Sequence, residues 1–246
     1  MQTEEYLKLA AVEDRMWYFR ALHAHVEREL ERRLPGPAAI LDAGCGTGGL
    51  IRRLAPRAAW KWTGVDLSPL AIELAQQRCA AGTDLREASV TKLPFADDSF
   101  DAVVSADVLY HVDDDVAALG EFFRVLRPGG FAIVNVPAYR WLWSYHDVAV
   151  QARRRYGRGE VLAKLRTAGF ADTRATFWNT LPFPLIVVRR KLWPAPKHGS
   201  DVTLYAPPLE TGFDALMAIE RACIRGMGRL PFGCSVFATG IKRGNK

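Results

Sequence analysis

No stretch of this chain is both long and apolar enough to span a bilayer: its longest hydrophobic run, Leu181–Val188, is short and carries two prolines. The opening residues, MQTEEYLKLA, hold two glutamates and no extended apolar core, so no secretory signal is expected. Cysteine is scarce. The four present, Cys45, Cys79, Cys223 and Cys234, lack CxxC spacing, which argues against both a zinc site and a disulfide framework. A soluble protein of the reducing cytoplasm is the expectation. Internal repeats, low-complexity tracts and long linkers are also missing. The basic excess of +6 is spread over separate arginine clusters rather than gathered in one tail, which favours a solvated surface over a nucleic-acid partner.

What is present is an ordinary globular mixture, 49% hydrophobic and 24% charged over 246 residues, sufficient for a single domain with a sizeable core. Residues 3–34 read as helical, with Leu7, Val12, Met16, Phe19, Leu22 and Val26 at spacings of three to five, and PGP at 35–37 ends the segment. From Ala38 short apolar strands alternate with amphipathic helices, the pattern of a parallel sheet with crossover helices. Strands are predicted at 38–43, 60–66, 84–89, 101–106 and 131–136, with helices most clearly at 69–80 and 115–127. Ser68 supplies an N-cap and Pro69 sits at the first helical position, where its missing N–H costs nothing. RPGG at 127–130 reads as a helix stop. Beyond Pro137 come an aromatic and basic stretch at 138–159, a short helix at 160–168 and a strand in FADTRATFWN; two amphipathic helices within 180–231 and a closing strand in FGCSVFATGIKR complete the pattern.

The most informative stretch is ILDAGCGTGGL, residues 40–50. A strand ending in Asp42, then Gly44, Gly46 and Gly48, then an apolar helix is a nucleotide-binding turn, in which glycine backbone approaches the ligand and helix-start N–H groups face it. Gly44, Gly46 and Gly49 also satisfy the G-x-G-x-x-G dinucleotide pattern, with Asp66 about 20 residues on. Asp42 separates the two readings, because a carboxylate before the first glycine repels a pyrophosphate and suits an ammonium or sulfonium ligand. Asp113, Asp114 and Asp115 are better explained as a helix N-cap and first turn than as a metal site, and no metal is expected.

LDAGCGTGG, GVDLSPLAIELA, LPFADDSFDAVVSADVLYHVDD and EFFRVLRPGGFAIVNVP stand in an order and at separations that resemble the class I S-adenosylmethionine-dependent methyltransferases, particularly the small-molecule type, over residues 38–137. The resemblance implies a Rossmann-like, doubly wound α/β fold: a mostly parallel sheet of seven strands with the last antiparallel, and helical cap insertions. Residues 1–34 would then be a helical lid, 38–137 the cofactor core, and 138–159 with 180–231 the substrate cap. It also implies S-adenosyl-L-methionine as cofactor, with Asp42, Gly44, Cys45 and Gly46 at its methionine end, Asp66 on the ribose hydroxyls and Leu67 on the adenine. Val90 would support the ring, and Ala106 and Asp107 would lie beneath the sulfonium. Ser89 departs from the family, where most members place an acid against the adenine amino group.

In such a sheet the ligand lies beyond the carboxyl ends of the strands where strand order reverses. Tyr110 and His111 follow the fourth strand, and a histidine there suits proton removal from a methyl acceptor. His146 is a second candidate; adjacency argues against its pairing with Asp147 as a dyad, although each could face the pocket separately. Trp141, Trp143 and Tyr145 are candidates for an aromatic substrate wall, and Trp17 and Arg20 for the lid's contribution. Arg153, Arg154, Arg155 and Arg158 would clamp an anion or form a solvated face. LPFPLIVVRRKLW reads as a buried cap or a homodimer contact, with rest on an anionic membrane near a lipid- or sugar-linked substrate as the alternative. The expected function is methyl transfer to O, N or C of a small molecule, as in specialised metabolite biosynthesis. A cofactor-binding module without transfer is the rival. Methylation of nucleic acid is a distant third, because no N-P-P-[YFW]-like tetrapeptide ends the fourth strand, where SADVLYHV stands.

Overall fold

The computed structural model describes residues 3–57, 59–194 and 199–244. Where one N-terminal helix is expected, two form: α1 (Thr3–Val12) and α2 (Trp17–Arg33). Neither proline nor glycine breaks them. The first N–H of α2, on Trp17, is instead taken by the Glu210 carboxylate at 2.7 Å, and Glu13 and Asp14 turn towards partners described below.

The chain then alternates β1 (Ala38–Ala43), α3 (Gly49–Leu54), β2 (Trp60–Asp66), α4 (Pro69–Arg78), β3 (Asp84–Glu87), β4 (Phe100–Ala106), α5 (Asp115–Val125) and β5 (Leu126–Pro137). After β5 come α6 (Tyr145–Ala149), α7 (Arg158–Thr167), β6 (Ala171–Trp178), α8 (Phe183–Val187), α9 (Pro207–Met227) and β7 (Ser235–Ile241). The strands make one seven-stranded sheet in the order β3-β2-β1-β4-β5-β7-β6, and β7 runs antiparallel to both β5 and β6. This is the doubly wound architecture expected. Order reverses between β1 and β4, which pair in parallel from Ile40↔Ala102 to Asp42↔Val104.

Alternation along the strands fills both faces. Ile40, Trp62, Val104 and Ile133 pack under α2, α3 and α9, while Leu41, Val103, Ala132 and Val134 pack under α5 and α7. The Ser68 oxygen caps α4 and the Asp114 carboxylate caps α5, at 3.3 and 2.9 Å. Two boundaries differ from expectation. β3 stops at Glu87, and Ser89 instead bridges Lys92 in a turn. RPGG does end α5, yet it belongs to β5: Gly129, at φ +86°, donates to Lys242, whose N–H returns to Gly130, around a register shift between Phe100 and Ala102. Among the described residues no helix is long and apolar enough to cross a membrane.

Candidate active site

The carboxyl ends of β1, β2 and β4 open on a cavity of about 1380 Å³, roofed by α1, the start of α2 and the α8–α9 region. The glycine turn is shaped by what surrounds it. Gly44 lies at φ +89°, and a Cβ there would sit 2.2 Å from Val108 Cγ2, so the turn and the loop after β4 meet only because residue 44 has no side chain. Gly44 and Cys45 both donate to the Val65 carbonyl at 2.8 Å, which ties the turn to β2. The Asp66 carboxylate then accepts from Gly46 N–H at 3.0 Å and Ser68 N–H at 2.9 Å, with the Tyr6 hydroxyl of α1 at 3.4 Å. Burial nevertheless holds the Asp66 carboxyl above the usual carboxylate range.

Asp42 differs. It is buried and faces the cavity, and among the described residues no donor reaches its carboxylate. Burial, aided by the charges of Asp66 and Glu13, pushes its carboxyl up to about 8. A buried acid without a hydrogen-bond partner, beside a cradle that a Cβ would fill, fits a cationic group. Leu67 stands next to Asp66 with 70% of its surface exposed, an apolar platform at the far end of the same turn. Val90, Ala106 and Cys45 also line the cavity, as does Ser89, whose hydroxyl is engaged locally with Thr91 Oγ1 at 2.8 Å.

At the end of β4, Asp107 takes φ +58° and its carboxylate is held from two sides. Tyr18 of α2 donates to it at 2.7 Å and Asn135 Nδ2 at 2.8 Å, while Trp178 Nε1 donates to Asn135 Oδ1 at 2.7 Å. Burial raises the Asp107 carboxyl to about 6, against these hydrogen bonds.

The two histidines both line the cavity, but in different hydrogen-bonding states. His111 Nδ1 lies 3.3 Å from the Gln151 carbonyl. A carbonyl only accepts, so Nδ1 carries the proton and the Nε2 lone pair is free. His146 Nδ1 accepts the Asp201 N–H at 3.0 Å, which leaves Nε2 as the protonated nitrogen of the neutral ring. Burial lowers both, to about 4, so both are neutral near pH 7. Asp147 does not pair with His146; it closes a buried ion pair with Arg155 at 2.6 Å and caps α6 through Ser144.

Trp17 and Tyr110 reach the cavity, and Tyr18 and Phe19 do so as well. Four expected wall or lid residues lie elsewhere. Arg20 pairs with Asp214 and lies 3.8 Å from Glu210, because the next 100° of α2 faces α9. Trp141 stacks on Tyr139 at 5.7 Å on the outer surface, and Trp143 is also exposed. The Tyr145 hydroxyl donates to Asp201 rather than facing a ligand. Of the arginines, Arg153 and Arg155 line the cavity, each paired with an aspartate, Asp113 and Asp147. Asp115 is likewise engaged, by Tyr156 and Lys164.

One group is invisible to local sequence reasoning. Glu13 is buried over the glycine turn, bonded to Thr47 Oγ1 and Arg78, and Arg78 also holds Asp14 at 2.9 Å. A Cβ on Gly49 would collide with the Glu13 carboxylate, so that glycine makes room for the latch that closes α1 over the site. The only signal for it was a glycine opening an apolar helix, which does not name the partner.

The sequence profile of the family described as "Methyltransferase domain" matches residues 41–134. A ubiquinone/menaquinone biosynthesis C-methyltransferase of Desulfotalea psychrophila is 38% identical over 130 residues, 50% of this chain and 50% of that protein. A Mycolicibacterium smegmatis protein named "Probable S-adenosylmethionine-dependent methyltransferase" is 32% identical over 172 residues, 67% of this chain and 64% of its own length. The chain thus spans about half to two thirds of these relatives. Among solved structures, a chain from the complex between the Haloferax volcanii Trm112 methyltransferase activator and a methyltransferase superposes with a TM-score of 0.63 at 21% identity, covering 98% of each chain. That likeness concerns the fold.

Proposed function

Since the chain belongs to the class I S-adenosylmethionine-dependent methyltransferases, we propose that it binds S-adenosylmethionine across β1, β2 and β4 and passes the methyl group to an O, N or C nucleophile of a small molecule in the adjoining cavity. The observation that carries this reading is Asp42, a buried carboxylate without a donor, opening on the cavity beside a turn that only glycine can make. In this reading Asp42 and the Gly44-Cys45-Gly46 backbone hold the ammonium end. Asp66 exchanges the Tyr6 hydroxyl for ribose hydroxyls, Leu67 and Val90 flank the adenine, and Ser89 offers a hydroxyl where an acid is usual. Ala106 and Asp107 lie below the sulfur. Bound there, the cofactor supplies an electrophilic methyl group on a sulfonium.

The chain's own residues align the acceptor and handle its proton. His111 Nε2 takes the proton of a hydroxyl or ammonium, and its Nδ1–H stays on the Gln151 carbonyl. His146 Nε2–H orients the acceptor as a donor, while Trp17, Tyr110 and the α1 lid exclude water. In this reading the chain is one domain, with 1–34 as lid, 38–137 as core, and 138–159 and 180–231 as cap, and it works in the cytoplasm.

Isothermal titration with S-adenosylmethionine and its demethylated product tests the site. One-to-one binding is expected, weakened by about 1 to 3 kcal/mol in Asp66→Ala, the cost of stranding its hydrogen-bonded partners. Absence of binding overturns the proposal. Binding without turnover of labelled methyl on any small-molecule pool would instead make the chain a cofactor-binding module.

A further inference from the structure

Helix α8 continues into a π-helical turn, Val188–Leu192, closed by Trp193 N–H donating to the Val188 carbonyl at 2.9 Å. Together they turn an apolar side outward. Leu181, Leu185, Val188, Leu192 and Trp193 are all exposed, the last two at 76% and 66%. Exposed Trp141 meets Phe183 edge-on at 6.1 Å, Phe183 touches exposed Phe232, and Lys191 Nζ donates to the Trp143 carbonyl at 2.8 Å. Phe183 thus links Trp141 and Phe232 to α8, and Lys191 brings Trp143 beside its π-helical turn. An exposed apolar face of this kind marks a docking site.

Charge selects the partner. No acid occurs between Leu181 and Trp193, whereas Arg189, Arg190 and Lys191 follow one another. Arg190 is neutralised by Asp201, but among the described residues no carboxylate pairs with Arg189 or Lys191. Leucines that enter acyl chains, tryptophans at headgroup depth and, at the rim, the exposed Lys191 without a carboxylate partner match an anionic bilayer surface. The face also meets the cavity: Leu185 is both exposed and part of the cavity wall, and Ile186 and Arg189 line its inner side.

We propose that Leu181–Trp193, with Trp141 and Trp143, seats the protein on an anionic membrane surface, and that the methyl acceptor is an amphiphile drawn from that membrane past Leu185 into the cavity. The acceptor class rests on the methyltransferase reading of the cavity; the docking does not.

The test is flotation with vesicles of phosphatidylcholine alone, or with about one third phosphatidylglycerol, at low and high salt. The protein should float with the anionic vesicles only, and raising the salt should lower binding at least tenfold. Lys191→Gln should weaken it about fivefold and Leu192→Ser with Trp193→Ser at least tenfold. None of these positions lines the cavity, so titration with the demethylated cofactor should be unchanged, which also reports that the variants fold. With labelled cofactor and membranes as acceptor, label should enter the chloroform-extractable fraction. Protein left at the bottom of the gradient with both vesicle types overturns the docking, as do variants that float like the parent. A dimer in solution that Leu192→Ser with Trp193→Ser dissociates also overturns it, because a second copy then covers the face. Label confined to water-soluble products overturns the acceptor class. Flotation without any cofactor binding would leave the docking standing and remove the methyltransferase reading beneath the acceptor class.

Discussion

His111 and His146 both face the cavity, and their backbone partners give them opposite chemistry. His111 presents a lone pair and His146 an N–H. With a hydroxyl acceptor, His111→Ala should lower kcat about 100-fold or more, the usual contribution of a positioned base, whereas His146→Gln, which keeps a donor, should change kcat less than tenfold. Because burial holds His111 near 4, the rate limb due to it should lie below pH 5 in a kcat profile rather than near 6.5. Gly44 gives a second residue-scale expectation. Gly44→Ala places a Cβ at φ +89° against Val108, so urea unfolding should show a loss of at least about 2 kcal/mol, part of it recovered by adding Val108→Ala. Asp42, the glycines and Asp66 were legible because strand, turn and helix fall within thirty residues. Arg20, Trp141, Trp143 and Tyr145 were not, because residue type shows that a side chain is large or charged without showing which neighbour claims it.

At the scale of elements, α1 is a lid fastened by one latch. Glu13 is buried against Thr47 and Arg78, and among the described residues Arg78 is the cation that balances its charge. Arg78→Met strands that carboxylate, and the lid should open at a cost lowered by about 2 to 3 kcal/mol. Hydrogen exchange of amides in Thr3–Val12 should then run about 30- to 160-fold faster while β1, β4 and β5 keep their protection. Uniform loss of protection would instead mean that the latch supports the whole fold. The strands were legible from their apolar runs, and the caps of α4 and α5 from Ser68 and the aspartates. The break between α1 and α2 was not, since Glu210, nearly two hundred residues away, makes it. The RPGG segment misled for a similar reason: its pairing partner is Lys242, beyond the reach of local turn chemistry.

For the whole molecule, buried titrating groups set a stability optimum. Burial lowers His23 and His25 to about 3 and His111 and His146 to about 4, so from pH 5 to 6.5 the unfolded chain holds protons that the folded chain lacks, and stability rises with pH. Asp107, near 6, and Asp42, near 8, act in the opposite sense, since the folded chain keeps protons that the unfolded chain has lost. These two carboxyls do not outweigh the four histidines below 6.5. Above it the histidines are neutral in both states and the buried carboxyls dominate: Asp42 lowers stability by at most about 1.4 kcal/mol per pH unit up to 8, and Glu13, Asp66 and Glu220, also raised by burial, act in the same sense. Thermal melts should therefore peak near pH 6.5, and saturating demethylated cofactor should remove the alkaline decline by keeping Asp42 ionised in the folded state. A Tm that does not vary from pH 5 to 8 would contradict this assignment.

The position of β7 also governs how the sheet is made. It lies between β5 and β6 although it is the last of the seven strands to be synthesised. Until Ser235–Ile241 leaves the ribosome, β5 and β6 each expose an unsatisfied backbone edge to the crowded cell. The nascent chain must pass through that adhesive interval every time it is made, and a premature stop just before β7 would fix it there permanently.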